Sequence, residues 1–241
     1  MFVNDTVRLG DFTVTPGIRY DHLSNSENMV SPSLGLTWRF ADHSFFRAQV
    51  SRGFKKVYLV DVSENEDLEK VTSYQAGIET SALPFMNVKA TLFQYDGSDV
   101  GRVHNSKEKR YGYELEVVTR PIFHFSITAG FTYLYTDYYG NKENDDQYSG
   151  KLTLLYDNPD LFSVELFGQY LHWDQERTFL EYYDRTMIWD LNATKTVQLS
   201  DHTYMDVFLS VHNIFDGRHN WTEELYPNPS RWVEGGLRFY F

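Results

Sequence analysis

Along one stretch of the chain every second residue is apolar or aromatic. Phe125, Ile127, Ala129, Phe131, Tyr133 and Tyr135 alternate with Ser126, Thr128, Gly130 and Thr132. The same period of two returns at Phe162, Val164, Leu166, Gly168 and Tyr170, and again at Val207, Leu209 and Val211. That period belongs to a strand with two unlike faces, and no amphipathic helix of convincing length competes with it. The patterned segments run ten to sixteen residues, against about 5–6 for strands of globular sheets. Strand length therefore limits the choice of fold more than any motif does.

The connections alternate as well. Tight ones fall near Gly10-Asp11, Ala41-Asp42-His43, Leu83-Pro84, Pro121-Ile122, Asn158-Pro159 and Ser200-Asp201. Long polar ones lie between them, at 24–30, 56–70, 98–108, 139–147, 174–183 and 216–230. The unit is a hairpin of roughly 40 residues with a long loop at one end only, and a meander of such hairpins is laid out like an outer-membrane barrel. A strand of about 10 residues tilted near 45° crosses the hydrocarbon layer, and closure into a barrel leaves no unpaired edge. Thirteen strand segments can be counted, the first a short one at 2–9. Single-chain bacterial barrels have even strand counts. The chain is therefore expected to be the C-terminal part of a larger barrel; if 2–9 is not a barrel strand, the other twelve could close by themselves.

Composition fits this reading and removes others. Aromatic residues make 17% of the chain, yet its mean hydropathy is −0.48, as alternation between oil-facing and water-facing positions requires. A soluble β-sandwich also alternates. A net charge of −12 leaves no basic stripe for nucleic acid. The absence of cysteine excludes disulfides, thiolate metal sites and thiol nucleophiles. No apolar run of about 18 residues could form a membrane helix. The start, "MFVNDTVRLG", lacks the regions of a signal peptide, so either the protein is cytosolic or an export signal and more has been removed. A repeat near 40 residues also suggests a propeller, but "HWD" at 172–174 and "IWD" at 188–190 lie too close together to mark successive blades.

Several segments, taken in order, resemble a family. "VNDTVRLGDFTVTPGIRYDHLS", "SPSLGLTWRFADHSFFRAQVSRGFKK", "EKVTSYQAGIET", "KRYGYELEV" and "VHNIFDGRH" followed by "YPNPSRWVEGGLRFYF" resemble the later strands of TonB-dependent outer-membrane receptors. The resemblance covers essentially the whole chain. It implies an all-β fold: a single antiparallel transmembrane β-barrel domain over 1–241, contributing the C-terminal 12–13 strands of a 22-stranded barrel, with tight periplasmic turns and long extracellular loops. Two departures touch loop geometry. Lys55, Lys56 and Val57 follow Arg-Gly-Phe where relatives carry a proline, and Ser230 replaces a glycine. No plug domain and no TonB box are recognisable.

The implied function is uptake of a scarce ligand through a Gram-negative outer membrane, first of all a ferric siderophore, with haem, cobalamin or a glycan open. The implied partners are TonB (through the missing plug), the lipid bilayer with lipopolysaccharide, and the barrel-assembly machinery, for which Phe239 and Phe241 resemble the signal. No nucleic acid, cofactor or enzymatic activity is expected. The loop residues Arg102, His104, Lys107, Arg177, Arg218, His219 and Trp221 are candidates to meet an anionic chelate. Arg47, Glu114, Glu116, Glu165 and Arg238 stand opposite apolar faces and are expected to look into the lumen, where a plug would pack.

Catalytic and metal readings are weaker. The eight histidines show no ligand spacing. His172 and Asp174 share a strand face near a loop, a pair that suits an outer-membrane protease less well than a rim hydrogen bond. The acidic clusters Glu64, Glu66, Asp67, Glu69 and Glu143, Asp145, Asp146 are solvated loops before they are Ca²⁺ sites. A complete twelve-stranded pore or enzyme and a soluble β binding module remain as alternatives.

Overall fold

The computed structural model describes residues 1–22, 28–56, 68–98, 107–138, 145–174, 187–217 and 229–241. Among these there is no helix. There are fourteen strands: β1 (Phe2–Asn4), β2 (Val7–Leu9), β3 (Phe12–Asp21), β4 (Met29–Ala41), β5 (Ser44–Lys56), β6 (Leu68–Thr80), β7 (Met86–Ser98), β8 (Lys107–Thr119), β9 (Phe125–Tyr138), β10 (Asp145–Asn158), β11 (Phe162–Asp174), β12 (Met187–Ser200), β13 (Thr203–His212) and β14 (Trp232–Tyr240). They follow one another in a sheet in chain order, with β1 and β2 both on β3.

The two short strands are one strand interrupted for a chemical reason. Phe2 pairs with Arg19 and Leu9 with Phe12, in a single unbroken register. At the centre Asp5 donates its N–H to the Pro16 carbonyl at 3.1 Å. The return bond is missing because proline has no N–H. Residues 2–9 are thus a barrel-type strand, and both edges of β3 are occupied, by β4 on one side and β1 with β2 on the other. A twelve-strand barrel that closed β14 onto β3 would need one of those edges free.

Each of the six expected tight turns is present, and several use left-handed backbone. Gly10 and His43 have φ of 62° and 56°. The link between β8 and β9 places both Phe123 and His124 at positive φ, inside the Ile122–Phe125 bridge. Asn158 closes the turn at 159–161 by accepting the N–H of Asp160 on its side chain, 3.0 Å away. Strands run further than expected at the other end: Met29, Leu68–Lys70, Lys107 and Asp145 belong to strands, not loops. The lysines after Arg-Gly-Phe explain one extension. Lys55 and Lys56 keep their N–H groups and pair with Glu69 and Leu68, where a proline would stop the ladder.

Register puts unlike residues on the two faces. Val14 with Leu36, Leu36 with Ala48 and Leu34 with Val50 lie on one face; Thr13 with Thr37, Thr37 with Arg47 and Gly35 with Gln49 lie on the other. The far end of the chain repeats this, with Val207 opposite Leu237 but Asp206 opposite Arg238. Among the described residues the buried apolar side chains are Met29 and Leu68, while Leu92 is 65% and Leu237 58% exposed. A water-soluble domain of this size buries a substantial core. Here the apolar side chains coat one face of a sheet, which suits a lipid solvent and removes the soluble-module reading.

Aromatic rings on that face gather near both strand ends. Towards the tight turns, Phe12 stacks on Trp38 and Tyr156 lies between Phe125 and Phe162. Towards the long loops, Tyr111 meets Tyr135 and Tyr113 meets Tyr133, with centroids 5.0 and 5.5 Å apart. Two aromatic bands mark the two water interfaces of a membrane barrel. By packing, the chain divides into two compact units, one of Met1–Leu83, Val88–Leu115 and Tyr133–Asp146, the other of Pro84–Asn87, Glu116–Thr132 and Gln147–Phe241.

Candidate functional site

In the first unit the polar face of β3 to β8 is hollowed into a concavity of about 570 Å³. Small residues make the hollow: Gly35 and Gly77 face it, and a Cβ on Gly77 would stand 2.6 Å from the Ala90 carbonyl. Gln49, Gln75 and Thr91 supply uncharged hydrogen-bonding groups along the floor, and Phe93 and Tyr95 form an aromatic edge, their rings 5.5 Å apart. Arg47 and Glu114 line the same hollow. Arg47 is held there by Glu79 at 3.1 Å. Such a wall can hydrogen-bond a polar body laid against it and offers no nucleophile or base in an activating pair.

In the second unit the described ends of the 218–228 segment are fastened to one side chain. The buried Asn213 amide donates to the Gly217 carbonyl at 2.8 Å and to the Pro229 carbonyl at 3.1 Å, and its Oδ1 accepts the Gly217 N–H at 2.7 Å. Its own N–H donates to Asp190 Oδ1 at 2.7 Å. Asn213 has φ of 49°, a left-handed conformation that asparagine tolerates better than most residues. Arg231 completes the base, donating its N–H to Asp216 Oδ1 and its Nη1 to the Ile214 carbonyl. Beside this base on the polar face, the His212 ring lies flat on Trp232, with centroids 3.9 Å apart, between Asp190 and Glu234.

Of the residues proposed from sequence, Arg102, His104, Arg177, Arg218, His219 and Trp221 lie outside the described residues, as do Glu64, Glu66, Asp67 and Glu143. Lys107 opens β8 on the apolar face, the face of Tyr111 and Tyr113, and not on the polar wall. Arg47, Glu165 and Arg238 among the wall charges have local partners. Glu165 accepts a 3.4 Å bond from Asn192, and Arg238 donates to Tyr240 while lying over the Phe208 ring. The strand ends at Tyr240, and Phe241 lies beyond it with its ring stacked over Phe239 at 6.4 Å. His172 stands on β11 against the Tyr148 ring. Among the described residues no three His, Cys, Asp or Glu side chains are grouped to hold a metal ion.

The sequence reading missed Asn213, Asp216 and Arg231. The signal was present in "HNIFDG" and in the arginine before Trp232: an Asn and an Asp three residues apart at the foot of a long loop are residues that accept left-handed backbone and tie turns.

Long antiparallel strands, two aromatic bands, one polar and one apolar face and a loop anchored at the rim define the wall of an outer-membrane-type β-barrel. Residues 1–214 match the TonB dependent receptor-like β-barrel family, and the chain belongs to it. Members of that family are outer-membrane transport receptors. The fold is similar to that of the ferric enterobactin receptor of Pseudomonas aeruginosa (TM-score 0.79, 16% identity, 99% of this chain and 44% of that one). It is also similar to the siderophore receptor PirA of Pseudomonas aeruginosa (TM-score 0.76, 20% identity, 100% and 46%). A third similar structure is the FrpB iron transporter of Neisseria meningitidis (TM-score 0.74, 18% identity, 99% and 43%). The chain spans less than half the length of these structures. No curated protein sequence matches it.

Proposed function

We propose that this chain is the loop-bearing barrel portion, one domain over 1–241, of a TonB-dependent receptor in a Gram-negative outer membrane that takes up a ferric siderophore. The observation that carries the reading is the Asn213 base. It fastens Gly217 and Pro229 to one amide, so the segment between them, with Arg218, His219 and Trp221, springs from a fixed foot. Binding loops on a rigid scaffold need such a foot. Arg218 and His219 suit the anionic surface of a ferric chelate, and Trp221 its planar groups; Arg102, His104 and Arg177 are further candidates for the same contact. The solved structures it resembles are siderophore receptors or iron transporters, which supports this ligand class over haem, cobalamin or a glycan.

Energy coupling to TonB belongs to a plug domain elsewhere in the whole receptor, packed against the polar wall. Phe239 and Phe241 serve as the signal to the barrel-assembly machinery. The test is a whole receptor with Arg218, His219 and Trp221 replaced by alanine, its binding of a panel of ferric siderophores normalised to the folded fraction. A loss of about tenfold or more for one of them is expected, as two or three lost charge-assisted or stacking contacts imply. Undiminished binding across the panel would contradict the loop's role.

A further inference from the structure

His212 ends β13 on the polar face, one residue before the Asn213 that anchors the loop. A carboxylate faces each of its ring nitrogens. Asp190 Oδ2 on β12 lies 3.8 Å from Nδ1, and Glu234 Oε1 on β14 lies 3.5 Å from Nε2. Both distances are longer than a made hydrogen bond, and Nε2 is shut off from solvent without a hydrogen-bond partner. Trp232 fixes the ring between the two, stacked on it at 3.9 Å with 14° between the planes.

A neutral imidazole carries one N–H and one bare lone pair. Whichever nitrogen holds the proton, the other turns its lone pair on a carboxylate oxygen. The imidazolium, a donor at both nitrogens, matches the two carboxylates together, and its charge gains again from the Trp232 face. The charged groups nearby are engaged elsewhere. Asp216 accepts the Arg231 N–H, the Arg231 guanidinium donates to the Ile214 carbonyl, and Glu165 takes the Asn192 amide at 3.4 Å. Opposite Asp190 on β11 stands Phe167, which carries no charge. Asp190 also couples the ring to the loop. Its second oxygen, Oδ1, accepts the Asn213 N–H at 2.7 Å, and the Asn213 amide holds Gly217 and Pro229.

We propose that His212 is a proton-operated latch on the foot of the 218–228 loop. A proton taken from solvent onto the ring draws Asp190 and Glu234 onto its two nitrogens, ties β12 to β14 across β13 and firms the Asn213 base. The loop is then held harder, and a positive charge of the sign that attracts an anionic ferric chelate stands beside its foot. The inference rests on the siderophore-receptor reading for its ligand and on the geometry of the foot for the latch. Imidazole changes charge within the physiological range, so the hold should strengthen from about pH 8 to about pH 5.5 and weaken on the way back.

The test uses the whole receptor in phosphatidylcholine nanodiscs at about pH 5.5 and about pH 8. The first readout needs no ligand: hydrogen-exchange protection of the 213–217 segment by mass spectrometry, corrected for the intrinsic effect of pH on exchange. Wild type should be about threefold to fivefold more protected at the lower pH, the size of a partly exposed ion pair. His212→Gln should show no difference between the two, and Glu234→Gln, which leaves the Asn213 base whole, a smaller one than wild type. The second readout is binding of a panel of ferric siderophores at both pH values. Wild type should gain on His212→Gln at the lower pH by the same factor, acid effects on the chelate cancelling in the ratio. Protection that ignores pH in wild type, or follows it equally in both variants, would overturn the proposal. A panel that binds at neither pH would sink the siderophore reading instead, and the exchange result would still decide the latch.

Discussion

Asn213 and Gly217 hold each other by two reciprocal bonds, 2.8 Å from the Asn213 amide to the Gly217 carbonyl and 2.7 Å from the Gly217 N–H to Asn213 Oδ1. A third bond runs from the same amide to the Pro229 carbonyl. Replacing Asn213 by alanine leaves buried backbone groups without partners, which costs about 2–3 kcal/mol. The expected result is a lower urea midpoint in lipid and ferric-siderophore binding reduced as far as in the triple loop variant. Normal binding in Asn213→Ala would show that the loop does not depend on this foot.

The β8–β9 turn is strained in a way that can be relieved. Phe123 has φ of 50° and is 88% exposed, so it occupies left-handed backbone without packing to offset it. Asparagine is the favoured residue at the first position of such a two-residue turn. Phe123→Asn should therefore stabilise the barrel by about 1 kcal/mol, read as a rise in the urea midpoint. His124 should be left in place, because its ring packs on Tyr156 and its Nδ1 lies 3.2 Å from the Asp157 carbonyl. A fall in stability on Phe123→Asn would mean that Phe123 makes a contact in the whole receptor.

At Gly112 the strands approach too closely for any side chain. A Cβ there would stand 1.9 Å from the Tyr133 carbonyl and 2.8 Å from the Phe93 ring. Gly112→Ala should cost about 1–3 kcal/mol and loosen the Tyr113–Tyr133 ring pair, measurable by tyrosine fluorescence alongside denaturation. An unchanged midpoint would require that β8 and β9 shift freely.

How much of this was legible in the sequence follows from what sets each feature. The faces were legible, because lipid and water sort side chains by a strict period of two, as Phe125 to Tyr135 shows. The tight turns were legible through Gly10, Pro84 and Asn158, residues whose backbone preferences are local. The join between 2–4 and 7–9 was not, since it depends on Pro16 lying opposite Asp5, a fact of register. Nor was the Asn213 base, which brings together residues 190, 217 and 229. The face of Lys107 was not legible either, because a residue has a face only where the strand reaches it, and β8 begins at Lys107 itself.

Phe241 lies beyond the last ladder pair, 96% exposed, touching Phe239 alone among the ring contacts described. Its removal should leave the urea midpoint of the refolded receptor within about 0.5 kcal/mol of wild type. Phe241→Ser should nonetheless lower the amount inserted in the outer membrane of living cells. If surface abundance stays normal, the terminal ring has no part in assembly.

The most direct test of the whole account is uptake of radiolabelled iron, presented as ferric siderophores, by iron-starved cells in which the whole receptor is the sole route of entry. Uptake should saturate with ligand and stop when a protonophore collapses the energy supply, while binding to the cell surface persists. Entry that rises linearly with concentration and continues unchanged under the protonophore would contradict the account and identify a passive pore.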